Sequence, residues 1–168
     1  WPAHTQVSLD IDFTGFDAGN GVWGVDGRTV NFEIGDAHVA VVDAAAHRMV
    51  VRSNGEVVRE MLVSTGKDST PTRSGIHVVN EKAETVIMDS ATVGIPQGSP
   101  GYYRLTTQWN VRISNSGEFV HSAPWSVGSQ GYANVSHGCV NVNPTDAEWY
   151  YHFTRNGDVV EVIVTRPG

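Results

Sequence analysis

Residues 47–63 read HRMVVRSNGEVVREMLV. Two valine-rich runs, His47 to Ser53 and Glu56 to Val63, flank Asn54-Gly55, the strongest short hairpin signal a sequence offers, because a two-residue turn of this kind needs positive φ at both central positions. The pair reads as two antiparallel strands, and the pattern extends outward from it. Ala37 to Asp43 reads as a strand before it. Gly75 to Asn80, Thr85 to Asp89, Trp109 to Ser114 and Glu118 to His121 follow, the last two turning through Asn115-Ser116-Gly117. One segment, Pro144 to Phe153, reads as a helix, with Asn143 as its cap, Pro144 at its first position and Asn156-Gly157 beyond its end. Asp158 to Thr165 then reads as a closing strand. The expected fold is mostly β.

Two segments break the rhythm. Residues 1–36 carry short strand patterns, Val7 to Phe13 and Thr29 to Ile34, around a Gly-rich stretch from Gly15 to Gly27. An immunoglobulin-type sandwich needs roughly 100 residues and about seven strands. This piece is too short to be one and reads as an incomplete module or an N-terminal extension, which leaves 37–168 as the main domain. The second segment, Ser90 to Tyr103, holds Gly94, Pro96, Gly98, Pro100 and Gly101. A long Gly/Pro loop inside a compact domain is characteristic of a lid or binding loop.

The 168 residues, 40% hydrophobic with five Trp, suit one domain or one domain plus a fragment. A formal net charge of -7 with no Lys/Arg cluster argues against nucleic acid as a partner. No apolar run is long enough to span a bilayer and no signal peptide opens the chain. The chain begins at Trp1-Pro2 and reads as a mature or trimmed fragment, so the missing export signal is not evidence for the cytoplasm. There is one cysteine, which rules out an internal disulfide and raises the question of a reactive thiol.

That cysteine lies in His121 to Asn141, HSAPWSVGSQGYANVSHGCVN. A lone cysteine is more often a buried small hydrophobe than a nucleophile. Cys139, however, follows Ser136-His137-Gly138 on a segment rich in Gly, Ser and Asn, better suited to exposing a thiol and bringing backbone N–H groups near a substrate than to filling a core. The thiolate is the nucleophile, so Cys139 needs a base or a cation beside it. His121 and His137 are the candidates. His121, at the end of an expected strand where a sheet can aim its ring, is favoured as base, and His137 as a pocket or backbone-positioning residue. Such a pairing either lowers the thiol pKa or generates the thiolate only as the substrate arrives.

His121, a gap of fourteen residues and then Ser136-His137-Gly138-Cys139-Val140-Asn141 resembles the signature of the L,D-transpeptidases. Ser64-Thr65-Gly66-Lys67 with Thr70-Pro71 and Gly75 is similar to an early strand-and-turn motif of that family, although Arg73-Ser74 stands where many members have a second Pro. Val86-Ile87-Met88-Asp89 and Gly101-Tyr102-Tyr103-Arg104 resemble the family's substrate-covering flap. His121-Ser122-Ala123-Pro124-Trp125-Ser126 and the immunoglobulin-like fragment are similar to its mycobacterial branch. The resemblance implies a β-sandwich of mixed sheets with one short helix and a long active-site flap. It implies peptidoglycan cross-linking: Cys139 attacks the carbonyl of the L-centre of diaminopimelate in a donor tetrapeptide stem, D-Ala leaves, and the thioester passes to the side-chain amine of an acceptor stem. His121 would be base and then acid, with the Ser122 carbonyl orienting its ring. The amides of Gly138 and Cys139 would form the oxyanion hole beside His137. Met88, Tyr103, Trp125 and Asn141 would line the donor site. The resemblance further implies covalent inhibition by carbapenem-type β-lactams, an extracytoplasmic location, and neither cofactor nor metal.

Other classes are open to the residues. A sortase-like transpeptidase also joins a Cys to an upstream His, but such enzymes keep an Arg soon after the Cys, and here the first is Arg155. In the common Cys/His wall-peptide hydrolases the Cys precedes the His. A zinc site of Cys139, His137 and His121 lacks a second cysteine and paired-ligand spacing. A non-catalytic cell-wall-binding module would need neither Cys nor His.

Overall fold

Valine supplies most of the strand interiors, and β-branched side chains suit a pleated, half-buried surface. The computed structural model describes residues 1–163, so of the expected closing strand, residues 164 and 165 lie outside the described residues. The chain divides into two compact units, Trp1–Ala37 and the chain from His38 onward.

In the first unit, β1 (Gln6–Asp12) pairs antiparallel with β4 (Gly27–Glu33) in unbroken register, from Gln6 opposite Glu33 to Asp12 opposite Gly27. The Gly-rich stretch between them holds a small ladder of its own, β2 (Asp17–Gly19) with β3 (Val22–Trp23). No residue of this unit is buried. It is a ribbon without a core, and such two-stranded ribbons are marginal on their own.

The second unit contains β5 (His38–Asp43), β6 (Arg48–Ser53), β7 (Glu56–Ser64), β8 (Gly75–Val78), β9 (Glu81–Asp89), β10 (Arg104–Arg112), β11 (Phe119–Ser122), β12 (Val140–Val142), the helix α1 (Pro144–Phe153) and β13 (Val159–Ile163). The β6–β7 hairpin turns at Asn54-Gly55, both with positive φ. The hydrogen-bonded order is β8-β13-β5-β6-β7-β12-β11-β10-β9. Pairing is mixed, with β13–β5 and β11–β12 parallel and the rest antiparallel. The mostly-β, mixed-sheet architecture with one helix is as expected. The two strand groups, however, form one ladder, because β12 bonds β7 on one side and β11 on the other. Only three residues long and set in a Gly/Ser/Asn-rich run, β12 carries no strand signal in sequence.

Val42, Met49, Val63, Val120, Val140, Val142 and Tyr150 meet in one buried cluster. Helix α1 packs on β10 and β11. It starts as the sequence indicates: the Asn143 side chain accepts from the Asp146 amide at 2.9 Å. It ends at Thr154, whose carbonyl takes the Lys82 ammonium at 2.6 Å, a cation placed where the helix dipole favours one.

The Ser90 to Tyr103 loop is not limp at its neck. Ser90 is fully buried. Its amide donates to the Tyr103 carbonyl at 3.0 Å, and its hydroxyl accepts from the Tyr103 amide at 2.9 Å. Composition alone hides this, since one serine does the fastening.

Val142 is completely buried in the shared strand, whereas Val58 is 44% exposed. Val142→Ala is expected to cost about 2 kcal/mol through lost burial and a cavity, and Val58→Ala less than about 0.5 kcal/mol. Denaturant unfolding of the two variants side by side measures the difference.

Candidate active site

In the parallel pair, Val120 stands opposite Val140, His121 opposite Asn141 and Ser122 opposite Val142. Side chains alternate faces along a strand. Val120, Val140 and Val142 therefore point into the core, while His121, Asn141 and the preceding Cys139 all line one cavity. Residues distant in the chain meet because one ladder aligns them.

His121 is buried, and its Nδ1 lies 2.8 Å from the Ser122 carbonyl oxygen. A carbonyl can only accept, so Nδ1 carries the proton and donates. Nε2 is left with its lone pair. Burial pushes the imidazole pKa down to about 4, against a smaller upward pull from the Ser122 carbonyl. The ring is neutral at working pH and faces Trp125 at a centroid distance of 6.0 Å.

The Ser-His-Gly-Cys segment rests on the end of β7. Ser136 bridges Gly66 in parallel, donating its amide to Thr65 at 3.1 Å and accepting the Lys67 amide at 3.0 Å. Thr72 ties the two together: its hydroxyl accepts from the Gly66 amide at 2.9 Å and donates to the Gly138 carbonyl at 2.7 Å. Gly66 has no room for a side chain, since a Cβ would sit 2.2 Å from the Thr70 carbonyl. Gly138 has φ +130, which favours glycine. The Ser136 hydroxyl donates to the Cys139 carbonyl at 2.6 Å and accepts the Gly138 amide at 3.1 Å. The Gly138 amide, expected to face an oxyanion, is thus already engaged. Asn134 fastens the segment from below, accepting from the Thr65 amide at 3.0 Å and donating to the Ala44 carbonyl at 2.8 Å.

Cys139 is half-buried, and its sulfur contacts the Gly117 carbonyl at 3.9 Å. Among the described residues it makes no hydrogen bond to His121. Burial pushes the thiol up to about 11, the Phe119 amide pulls it down, and the nearby Glu118 carboxylate raises it again. Of the two modes of activation, a resting ion pair is not what the site holds. It holds a neutral thiol and a neutral imidazole.

His137 differs from His121. It is exposed, with its ring 4.9 Å from that of Tyr103. Its Nε2 accepts from the Lys67 ammonium at 3.2 Å, and desolvation together with that ammonium lowers its pKa. With that lone pair occupied, His137 has none to offer the thiol.

Two cavities meet at Cys139. One, of about 390 Å³, is lined by His121, Trp125, Leu105, Tyr102 and Asn141. The other, of about 360 Å³, is lined by Arg73, Asp89, Arg112 and Glu118. Met88, Tyr103, His137 and Cys139 border both, and burial together with the nearby thiol raises the Tyr103 phenol, keeping its proton on. All four expected pocket residues, Met88, Tyr103, Trp125 and Asn141, line a cavity. Among the described residues no group of three His, Cys, Asp or Glu side chains could hold a metal ion.

The model of the L,D-transpeptidase catalytic domain matches residues 37–162. This chain belongs to the L,D-transpeptidase family. It is 48% identical to L,D-transpeptidase 2 of Mycobacterium tuberculosis over 168 residues, covering 100% of this chain and 41% of that protein. It is 47% identical to L,D-transpeptidase 1 of the same species, covering 97% of this chain and 59% of the relative. The chain thus spans about two fifths to three fifths of these relatives' length. Among solved structures it superimposes on the LD transpeptidase LdtMt1 in complex with imipenem with a TM-score of 0.81 at 47% identity, covering 97% of this chain and 69% of that one. For an L,D-transpeptidase from Mycobacterium smegmatis the TM-score is 0.82 at 43% identity, with the same coverage.

Several supports of this L,D-transpeptidase site escape sequence reasoning. Ser126 and Gln130 are buried and brace the site, the Ser126 hydroxyl taking the Asn141 side-chain amide at 3.1 Å and Gln130 donating to the Ala123 carbonyl at 3.2 Å. Thr72 and Asn134 are likewise polar residues with partners far along the chain, Gly138 for Thr72 and Ala44 and Thr65 for Asn134, and no local motif marks them.

Two outcomes follow from this geometry. With the thiol near 11, about one molecule in 10⁴ is ionised at pH 7. Iodoacetamide alkylation of the single cysteine is expected to rise about tenfold per pH unit from 7 to 10, without the plateau from acid pH that a resting ion pair would give. Rates read by intact mass decide between them. Thr72→Val keeps the shape and removes both hydrogen bonds of the hydroxyl, and it is expected to cost about 1–3 kcal/mol in denaturant unfolding while slowing covalent labelling of Cys139.

Proposed function

We propose that this chain is a peptidoglycan L,D-transpeptidase working through a Cys139 thioester. The observation that carries the reading is a single thiol at the junction of two cavities, beside a buried, neutral imidazole whose tautomer is fixed. A two-substrate acyl transfer needs such a junction, and a binding module does not.

The donor stem straddles the sulfur. As Sγ attacks the carbonyl carbon of the diaminopimelate L-centre, its proton passes to His121 Nε2, which is bare because Nδ1 is committed to Ser122. The negative charge on the carbonyl oxygen falls to the Cys139 amide and the protonated Tyr103 phenol, since the Gly138 amide is given to Ser136. The intermediate collapses to a thioester, and His121 returns the proton to the departing D-Ala amine. Attack by the acceptor amine reverses that departure, so it enters on the His121 side. Its proton goes to His121 and then to the sulfur of Cys139.

Generating the thiolate only in contact with substrate suits an enzyme whose acyl intermediate must outlast water. The flap supports this: Gly101, Tyr102 and Tyr103 wall the apolar cavity, and a thioester under cover is spared hydrolysis until an amine arrives. The solved structures with imipenem and with a faropenem-derived adduct support covalent inhibition by such β-lactams here also. Stem peptides as substrates imply work outside the cytoplasm, and residues 1–36 are read as an incomplete module or extension distinct from the catalytic domain.

Cys139→Ala is expected to abolish the mass increase on incubation with imipenem and all cross-linking of a tetrapeptide donor, with unfolding shifted by less than about 1 kcal/mol. His121→Ala is expected to slow acylation by roughly 10²–10⁴-fold, and His137→Ala by far less. Turnover retained by Cys139→Ala, or the reverse ranking of the two histidines, defeats the reading.

A further inference from the structure

His47 lies in the turn between β5 and β6, and it lines neither of the two cavities that meet at Cys139. The turn is built to aim its ring. Asp43 Oδ1 accepts the amides of Ala45 and Ala46 at 3.0 and 2.9 Å. His47 then enters the left-handed region at φ +54, and its carbonyl takes the Val63 amide at 2.9 Å. Histidine is one of the few side chains other than glycine that are enriched in this region.

The ring meets Asn134, with Nδ1 2.9 Å from the side-chain Oδ1. The Asn134 Nδ2 stands 2.8 Å from the Ala44 carbonyl, which can only accept, so the amide is turned with its oxygen towards His47. That oxygen also takes the Thr65 amide at 3.0 Å. Nδ1 of His47 therefore carries a hydrogen and donates it. Both lone pairs of the Asn134 oxygen are then in use.

Asn134 is where this contact reaches the nucleophile. Thr65, which donates to Asn134, holds the Ser136 amide on its own carbonyl at 3.1 Å, and the Ser136 hydroxyl holds the Cys139 carbonyl. Val135, between them, gives its amide to the Ser64 hydroxyl at 3.1 Å. Among the described residues Cys139 makes no hydrogen bond to His121, so the placement of its sulfur falls to this loop. We propose that His47 is a positioning residue for Cys139. Its Nδ1–H holds Asn134 in the one orientation that serves Thr65 and Ala44 together, and so sets where the Ser136-to-Cys139 turn presents the thiol to His121. This rests on the transpeptidase reading and adds to it a residue that touches no substrate. A half-buried neutral hydrogen bond adds little to folding, whereas attack on a carbonyl depends steeply on where the sulfur stands. Loss of the donor therefore shows in the chemistry before it shows in stability.

The test uses two substitutions of similar shape. Asparagine and aspartate both tolerate positive φ and both place a polar atom near the position of Nδ1. Asparagine can donate from there, and an ionised aspartate cannot. Imipenem is the probe, with its maximal acylation rate and half-saturating concentration read by intact mass. Iodoacetamide alkylation at alkaline pH and denaturant unfolding are measured alongside. His47→Asp is expected to slow maximal acylation by roughly ten- to a hundredfold, with the half-saturating concentration, alkylation and unfolding midpoint close to native. His47→Asn is expected to keep most of the native rate. If His47→Asp does not fold, His47→Ala, which lacks the donor and adds no charge, takes its place. A native maximal rate in the variant without the donor overturns this inference alone. So does a loss that His47→Asn shares in full, or one that alkylation and unfolding share, or a failure of both His47→Asp and His47→Ala to fold. Native protein that iodoacetamide labels but imipenem does not acylate defeats the transpeptidase reading and this one with it.

Discussion

The parallel pairing of β11 with β12 is the constraint on which the rest depends. Three register positions put His121 beside Asn141 and direct both, with Cys139, to the cavity side, while Val120, Val140 and Val142 fill the core behind them. Two of the three residues of β12, Asn141 and Val142, also pair with β7 and so complete the sheet. Site and core are two faces of one ladder. A one-residue slip would turn the cavity-facing side chains inward and the valines out, so the register that keeps the core apolar also keeps His121 and Cys139 on one cavity.

Around that ladder, a backbone carbonyl stands where other triads place a carboxylate, and polar side chains hold the neighbouring loop. The Ser122 carbonyl fixes the His121 tautomer. Ser136, Thr72 and Asn134 satisfy the backbone groups of a loop that would otherwise carry unpaired amides and carbonyls. Buried polar groups are tolerable only when partnered; here Thr72 reaches the loop from another turn, Asn134 ties it to Thr65 and Ala44, and Ser136 serves its own loop. The result is a rigid bed under a mobile type of sequence, Gly- and Ser-rich yet held at nearly every residue.

On the proposed mechanism the electrostatics set the timing of the chemistry. Burial disfavours both charged forms, imidazolium and thiolate, so the pair rests neutral. The Glu118 carboxylate adds to this for the thiol alone. A resting thiolate would be open to any electrophile or oxidant. On the proposed mechanism, a thiol that ionises only against a seated carbonyl limits attack to what the cavities admit.

The sequence by itself determined the strands that a hairpin and valine runs mark, the capped helix, and the motif that singles out His121 and Cys139 as candidates, because these are written in local patterns and a short motif. The Asn54-Gly55 turn and the Asn143 cap carry their own geometry in neighbouring residues. The tertiary structure alone decided what depends on distant partners. A three-residue strand such as β12 has no period to detect, and its existence comes from β7 and β11. The Ser90 fastening of the flap, the Thr72 link to Gly138 and the engagement of the Gly138 amide by Ser136 are single hydrogen bonds with no sequence spacing to announce them. Most of all, the resting charge of the thiol is a property of its surroundings: composition names the cysteine, but burial and the carboxylate of Glu118 set its pKa.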